Sequence, residues 1–148
     1  MQQLLSCKKI KMNIKIRNGI EVKASGGLIV EQAWLQSANG PLIRDGNLVN
    51  LGEKIQLHLI IHGWQGQGDR IAIGASEMIT TDEGQRFLNE EDLFSRYESL
   101  PLEAVKKISL SAVIDDIDRL VDYFRVDFKI YSKLYKEQII EGYYMFYI

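Results

Sequence analysis

Phe124, Val126, Phe128 and Ile130 alternate with Arg125, Asp127, Lys129 and Tyr131, and a second run places Ile140, Gly142, Tyr144, Phe146 and Ile148 on one side. A period of two is that of a strand with one buried face. If residues 132–138 connect the runs, Ile130 faces Ile140, Phe128 faces Gly142, Val126 faces Tyr144 and Phe124 faces Phe146. Every apolar residue then lands on one side, while Lys129 meets Glu141 on the other. A slip of one residue would bury Arg125, Asp127 and Lys129, so the pairing is well specified. The pattern predicts a C-terminal hairpin at the centre of an all-β core.

Upstream, residues 13–24 read as two short strands around Arg17-Asn18-Gly19. A three-residue loop pairs Ile16 with Ile20 and Ile14 with Val22 and sets Gly19 at positive φ. Residues 28–36 form an extended segment that is apolar on both sides, and Asp45-Gly46 reads as a hairpin turn between 42–43 and 48–49. Residues 55–64 are the clearest central strand, with Leu57, Leu59 and Ile61 on one face and His58, Ile60, His62 and Trp64 on the other. A glycine-rich loop at 63–69 leads into a strand at 70–81. The Asp82-Glu83-Gly84 turn then sets Ile79 opposite Phe87 and Met78 opposite Leu88. Asn89 is expected to cap a short helix carrying Leu93, Phe94 and Tyr97 on one side. Residues 108–114 form a further strand. Asp115, Asp116 and Asp118 can cap a helical turn in which Ile117, Leu120 and Val121 face inward. Many short strands with one or two brief helices imply an antiparallel β-sandwich, immunoglobulin-like or C2-like, with a closed β-barrel as the alternative.

A chain of 148 residues is expected to hold a single domain, here 12–148, behind a leader or disordered tail at 1–11. The hydrophobic share of 46% and charged share of 26% are those of a soluble globular protein. A net charge of −2 supplies no basic excess to neutralise phosphates, which argues against nucleic acid as partner. The local cluster Lys8, Lys9, Lys11, Lys15 and Arg17 reads as a solvated segment. No run reaches the roughly 18 apolar residues of a membrane span. The single cysteine, Cys7, excludes an intramolecular disulfide. Leu4-Leu5-Ser6-Cys7 resembles the end of a bacterial lipoprotein signal, although six residues are too few for the charged and apolar regions such a signal needs. The compartment, and a true start at Met1 or at Met12, stay open.

Candidate chemistry is sparse. His58 and His62 point to one face, but residues four apart on a strand are separated by about 13 Å, too far to share an ion. Acidic residues cluster at Asp82-Glu83, at 90–92, and at Asp115, Asp116, Asp118 and Asp122; calcium would need two such loops to converge, and turn and cap roles already explain them. Neither a metal nor another cofactor is expected. The stretch His62-Gly63-Trp64-Gln65-Gly66-Gln67-Gly68-Asp69-Arg70 is the best candidate site. In it Trp64 offers apolar stacking, and Gln65, Gln67, Asp69 and Arg70 offer directional hydrogen bonds to a sugar, a peptide or another small molecule. Tyr123, Tyr143 and Tyr147 share the face opposite the buried one and are the candidate interface with a second copy or another protein. With no assembled nucleophile and base, the expected function is a non-enzymatic binding or interaction module. The alternative is a small hydrolase or sugar-acting enzyme drawing its acid and base from Asp69, Glu77, Asp82 or Asp116.

Overall fold

The computed structural model describes residues 13–148; Cys7, Met12 and Lys8, Lys9 and Lys11 lie outside them. Among the described residues eleven strands follow in order: β1 (Lys15–Ile16), β2 (Glu21–Ala24), β3 (Ile29–Ser37), β4 (Ile55–His62), β5 (Arg70–Ile71), β6 (Ile73–Thr81), β7 (Arg86–Glu90), β8 (Leu100–Pro101), β9 (Lys107–Ala112), β10 (Phe124–Ser132) and β11 (Ile139–Phe146). One sheet runs β9-β4-β3-β1, the other β2-β11-β10-β6-β7, and β5 pairs with β8 in a small ribbon. Pairing is antiparallel except between β1 and β3. The sheets remain open, so the architecture is a β-sandwich and not a barrel.

The C-terminal hairpin forms in the expected register, from Phe124 opposite Phe146 to Ile130 opposite Ile140, with Lys129 facing Glu141. β10 takes β6 on its other side and β11 takes β2, so both strands are interior to their sheet. Alternation drives the wholly buried Val126, Ile130, Ile140 and Tyr144 against Leu35, Leu57, Leu59 and Ile61 of the opposite sheet. The Phe124 and Phe146 rings stack with centroids 5.0 Å apart, and Phe87 meets Phe124 edge-on at 5.6 Å. Packing of this kind is what confines one face of each strand to the interior.

The expected hairpin at 13–24 does not form. β1 joins one sheet and β2 the other, so the turn between them carries the chain across the sandwich. Asn18 and Gly19 both adopt positive φ, 59° and 65°, and the Ile20 N–H closes the turn on the Arg17 carbonyl at 3.1 Å. The Asp45-Gly46 turn makes a second such crossing. Leu42 bridges to Gln36 of β3, whereas Leu48 bridges in parallel to Tyr147 beyond β11. Buried Asn18 and Asn47 lock the two crossings together. The Asn18 Nδ2 donates to Asn47 Oδ1 at 3.0 Å and to the Ile43 carbonyl at 2.9 Å. The Asn47 Nδ2 donates to the carbonyls of Asn18 and Met145, each at 2.8 Å.

Three further expectations are corrected. A bulge between Ile79 and Thr80 moves the β6–β7 register, so Ile79 faces Leu88 and Met78 faces Asn89. Asn89 lies in β7 and caps no helix; among the described residues there is no α-helix, only a 3-10 turn at Leu102–Val105. Asp92 takes the capping role instead, its Oδ1 accepting from the N–H groups of Phe94 at 3.0 Å and Ala75 at 3.2 Å, which folds 93–96 back onto β6. At 113–123 no helical turn forms either; Ile117 and Val121 pack on the core, but Leu120 is 97% exposed.

Candidate functional site

The glycine-rich loop between β4 and β5 meets the β10–β11 connection at one end of the sandwich. Gln138, wholly buried, joins them: its Nε2 donates to the carbonyls of Gly26 at 2.9 Å and Gly63 at 2.8 Å, and its Oε1 accepts from the Gln65 N–H at 2.8 Å. Three loops from distant parts of the sequence are thus fixed by one side chain. Gln138→Ala would remove the partner of two carbonyls and one N–H at a part-buried junction, each bond being worth about 0.5–1.5 kcal/mol, and would empty the space of a wholly buried side chain. The expected loss is roughly 3 kcal/mol in urea unfolding, with faster amide exchange confined to these loops. A variant with an unchanged midpoint would show that the loops hold themselves.

Against this junction lies a hollow of about 440 Å³ whose wall includes Gln65, Gln67, Arg70, Ser99, Lys133 and Tyr135. Arg70 is oriented by Ser99, donating from Nε to Oγ at 3.0 Å and from an Nη to the carbonyl at 2.9 Å. Reciprocal backbone bonds between Gln67 and Arg70 hold the loop tip. The Ser132 hydroxyl accepts from the N–H groups of Leu134 and Tyr135, fixing the opposite wall. Lys133 pairs with Asp92 at 2.9 Å. Burial pushes the Asp92 carboxyl up, but the hydrogen bonds from Lys133, Phe94 and Ala75 outweigh it, so the group ends below the ordinary carboxylate range. Lys133 therefore meets a charged partner across the whole neutral range.

Of the five residues expected at the site, Gln65, Gln67 and Arg70 line this hollow, whereas Trp64 and Asp69 do not. Trp64 packs against the core, and its Nε1 is buried without a hydrogen-bond partner among the described residues. Its indole is thus turned inward rather than offered to solvent. Ser99, Lys133 and Tyr135 carried no sequence signal, since only tertiary structure brings them to the loop.

The expected interface tyrosines divide. Tyr143 projects from the outer face of β11 with the Arg125 guanidinium 3.8 Å from its ring centre, and Arg125 is itself held by Asp127 at 3.0 Å. Tyr143 borders a broad groove of about 680 Å³ over the outer face of β10, where Lys129, Glu141 and Tyr131 also lie. Both Tyr143 and Tyr147 border a second hollow, which Tyr123 does not reach. The facing register stops at Phe146; Tyr147 leaves β10 and bonds instead to Asn47 and Val49.

The acids of the enzymatic alternative are scattered. Glu77 is buried in the interior, Asp69 lies in the β4–β5 loop, Asp82 in the β6–β7 turn, and Asp116 lines a different hollow beside Gln85 and Phe87. Glu77 borders the groove of about 680 Å³ and Asp116 a separate hollow, whereas glycoside hydrolysis requires two acids across one cleft. One nucleophile does meet a base: Ser109 Oγ stands 2.6 Å from His58 Nδ1 across the β9–β4 pair. Burial, and then the charge of Lys107, hold the imidazole below its usual range, and Trp34 stacks on it at 5.2 Å. The imidazole donates no hydrogen bond to a carboxylate among the described residues. The pair thus lacks the third member that orients such a base, and it carries no catalytic assignment. His62 pairs with Glu31 at 2.6 Å, and no group of three or more His, Cys, Asp or Glu side chains that could hold a metal occurs among the described residues. Nor is any helix among them long and apolar enough to cross a membrane.

Comparison with known protein families and with curated proteins finds no match for this chain.

Proposed function

We propose that the chain is a non-enzymatic β-sandwich binding module whose ligand, a sugar or a short peptide, enters the hollow beside the β4–β5 loop. The observation that carries this reading is the Gln138 junction. It ties three loops into a fixed wall, and preorganised loops bind without the cost of ordering themselves. The lining mixes amides, a hydroxyl and an oriented guanidinium with the ring of Tyr135, a composition suited to directional bonding of a polar ligand against one apolar surface.

The test is a titration of isotopically labelled protein with a panel of neutral oligosaccharides and short peptides, followed through backbone amide shifts. A ligand of this site shifts Gln65, Gln67, Arg70 and Tyr135 together. Gln67→Ala combined with Tyr135→Ala should weaken it by at least about tenfold while leaving the thermal midpoint within a few degrees. Shifts that map elsewhere, or equal binding by the double variant, would sink the reading.

A further inference from the structure

At the other end of β11, where the two crossing turns meet, lies the second hollow, of about 380 Å³. Tyr143 and Tyr147 stand on it with Met145, and Glu21 and Asp45 add two carboxylates; no lysine or arginine is in its lining. Arg17 and Arg44 line the adjoining hollow beside Trp34, and Arg125 lines the groove on the far side of Tyr143. Neither Glu21 nor Asp45 has an ion-pair partner among the described residues. The back wall is firm, because the Asn18–Asn47 bonds fix both turns and Asn47 accepts the N–H of Tyr147 at 2.9 Å.

We propose that this hollow binds the alkylammonium head of an organic cation. Aromatic rings attract cations over their faces, and carboxylates at the rim supply the opposite charge. The chain already illustrates the affinity of Tyr143 for a cation, since Arg125 sits on that ring from the groove side. Met145 adds a polarisable surface suited to methyl or methylene groups. Two sources share this chemistry: a lysine side chain of a polypeptide and a free quaternary amine. The site is separate from the loop hollow and stands or falls without it.

The experiment titrates labelled full-length protein with choline, with Nα-acetyl-lysinamide, and with 3,3-dimethylbutan-1-ol, the neutral analogue of choline, each to about 50 mM. Saturable shifts at the amides of Gly19, Gly46 and Tyr143 with one or both cations, and at least about tenfold weaker binding of the alcohol, are the expected result. The tighter of the two cations identifies the source. Tyr147→Leu, and separately Glu21→Gln with Asp45→Asn, should each weaken the preferred cation by about fivefold or more. If Tyr147→Leu loses its dispersed spectrum, the carboxylate variant alone decides. The proposal is overturned if neither cation produces saturable shifts there, if the alcohol binds as well as choline, or if the folded variants bind unchanged.

Discussion

Glu77→Gln is expected to make the protein markedly more stable than the native chain above pH 8, while the two differ little near pH 4. Glu77 shares the inward face of β6 with Ala75 and Ile79, opposite Phe128, and is 1% exposed. Neither of its carboxyl oxygens has a partner among the described residues, and the same holds for the hydroxyl of the wholly buried Tyr144. Burial pushes the Glu77 carboxyl up from 4.5 to about 8. Burial also drives the Tyr144 hydroxyl well above the ordinary phenol range, and the charge of Glu77 adds to that. The folded protein keeps the Glu77 proton between about pH 4.5 and 8, whereas the unfolded chain releases it, so the folded state binds more protons throughout that window. The Glu77 contribution is therefore full below pH 4.5, falls as pH rises towards 8, and levels off above it. The total loss is on the order of 5 kcal/mol. Glutamine keeps the shape and cannot ionise. Urea midpoints measured at pH 4, 6, 7 and 9 should fall for the native chain relative to the variant. Parallel curves for the two proteins would mean that Glu77 is charged in the folded state.

Gly142→Val should prevent the native sheet from forming. Gly142 sits between Val22 of β2 and Phe128 of β10. A Cβ there would collide with the Glu21 backbone carbonyl and would stand 3.0 Å from the tip of the Phe128 ring. The ring can turn aside, but the carbonyl belongs to a strand paired to this one, so β2 would have to leave its ladder. A cost above about 4 kcal/mol is expected, a large part of the stability of a domain this size. Loss from the soluble fraction, or a collapsed circular dichroism spectrum, would register it. Gly142→Ala with Phe128→Leu separates the two obstacles. It relieves the ring and not the carbonyl, so it should recover little. Full recovery would place the constraint on Phe128 instead.

The C-terminal hairpin was legible from Phe124–Phe146 to Ile130–Ile140 because both runs alternate and that register puts Phe124, Val126, Phe128, Ile130, Ile140, Tyr144 and Phe146 on one buried face, while Tyr147 and Ile148 leave the pairing. The N-terminal turn carries the same local signal, Asn18-Gly19 between alternating residues, yet its flanking strands enter different sheets. That choice is made by Ala33 on one side and Tyr143 on the other, partners remote in sequence from the turn. Leu93, Phe94 and Tyr97 have helical spacing, but Asp92 finds Ala75 and Lys133 and holds the segment against β6 instead. At the loop hollow the glycine-rich composition pointed to Gln65, Gln67 and Arg70. Trp64 packs onto the core, and sequence does not say whether an indole turns outward or inward. Gln138, which fixes the whole wall, looked like an ordinary turn residue.

The two crossings also constrain the order in which the molecule can be made. Among the described residues β2 pairs with β11 alone, the last of these strands in sequence. As the chain leaves a ribosome, β2 emerges well before β11 and must wait for that partner to be synthesised. Meanwhile β1 and β3, on either side of it, belong to the opposite sheet and tether it there. Neither layer can be completed before the other, so the domain closes late and as a unit, with the slow kinetics of folds dominated by remote pairings. A nascent chain halted before residue 139 would therefore present β2 and β10 with open edges, the form in which such a protein is most exposed to aggregation.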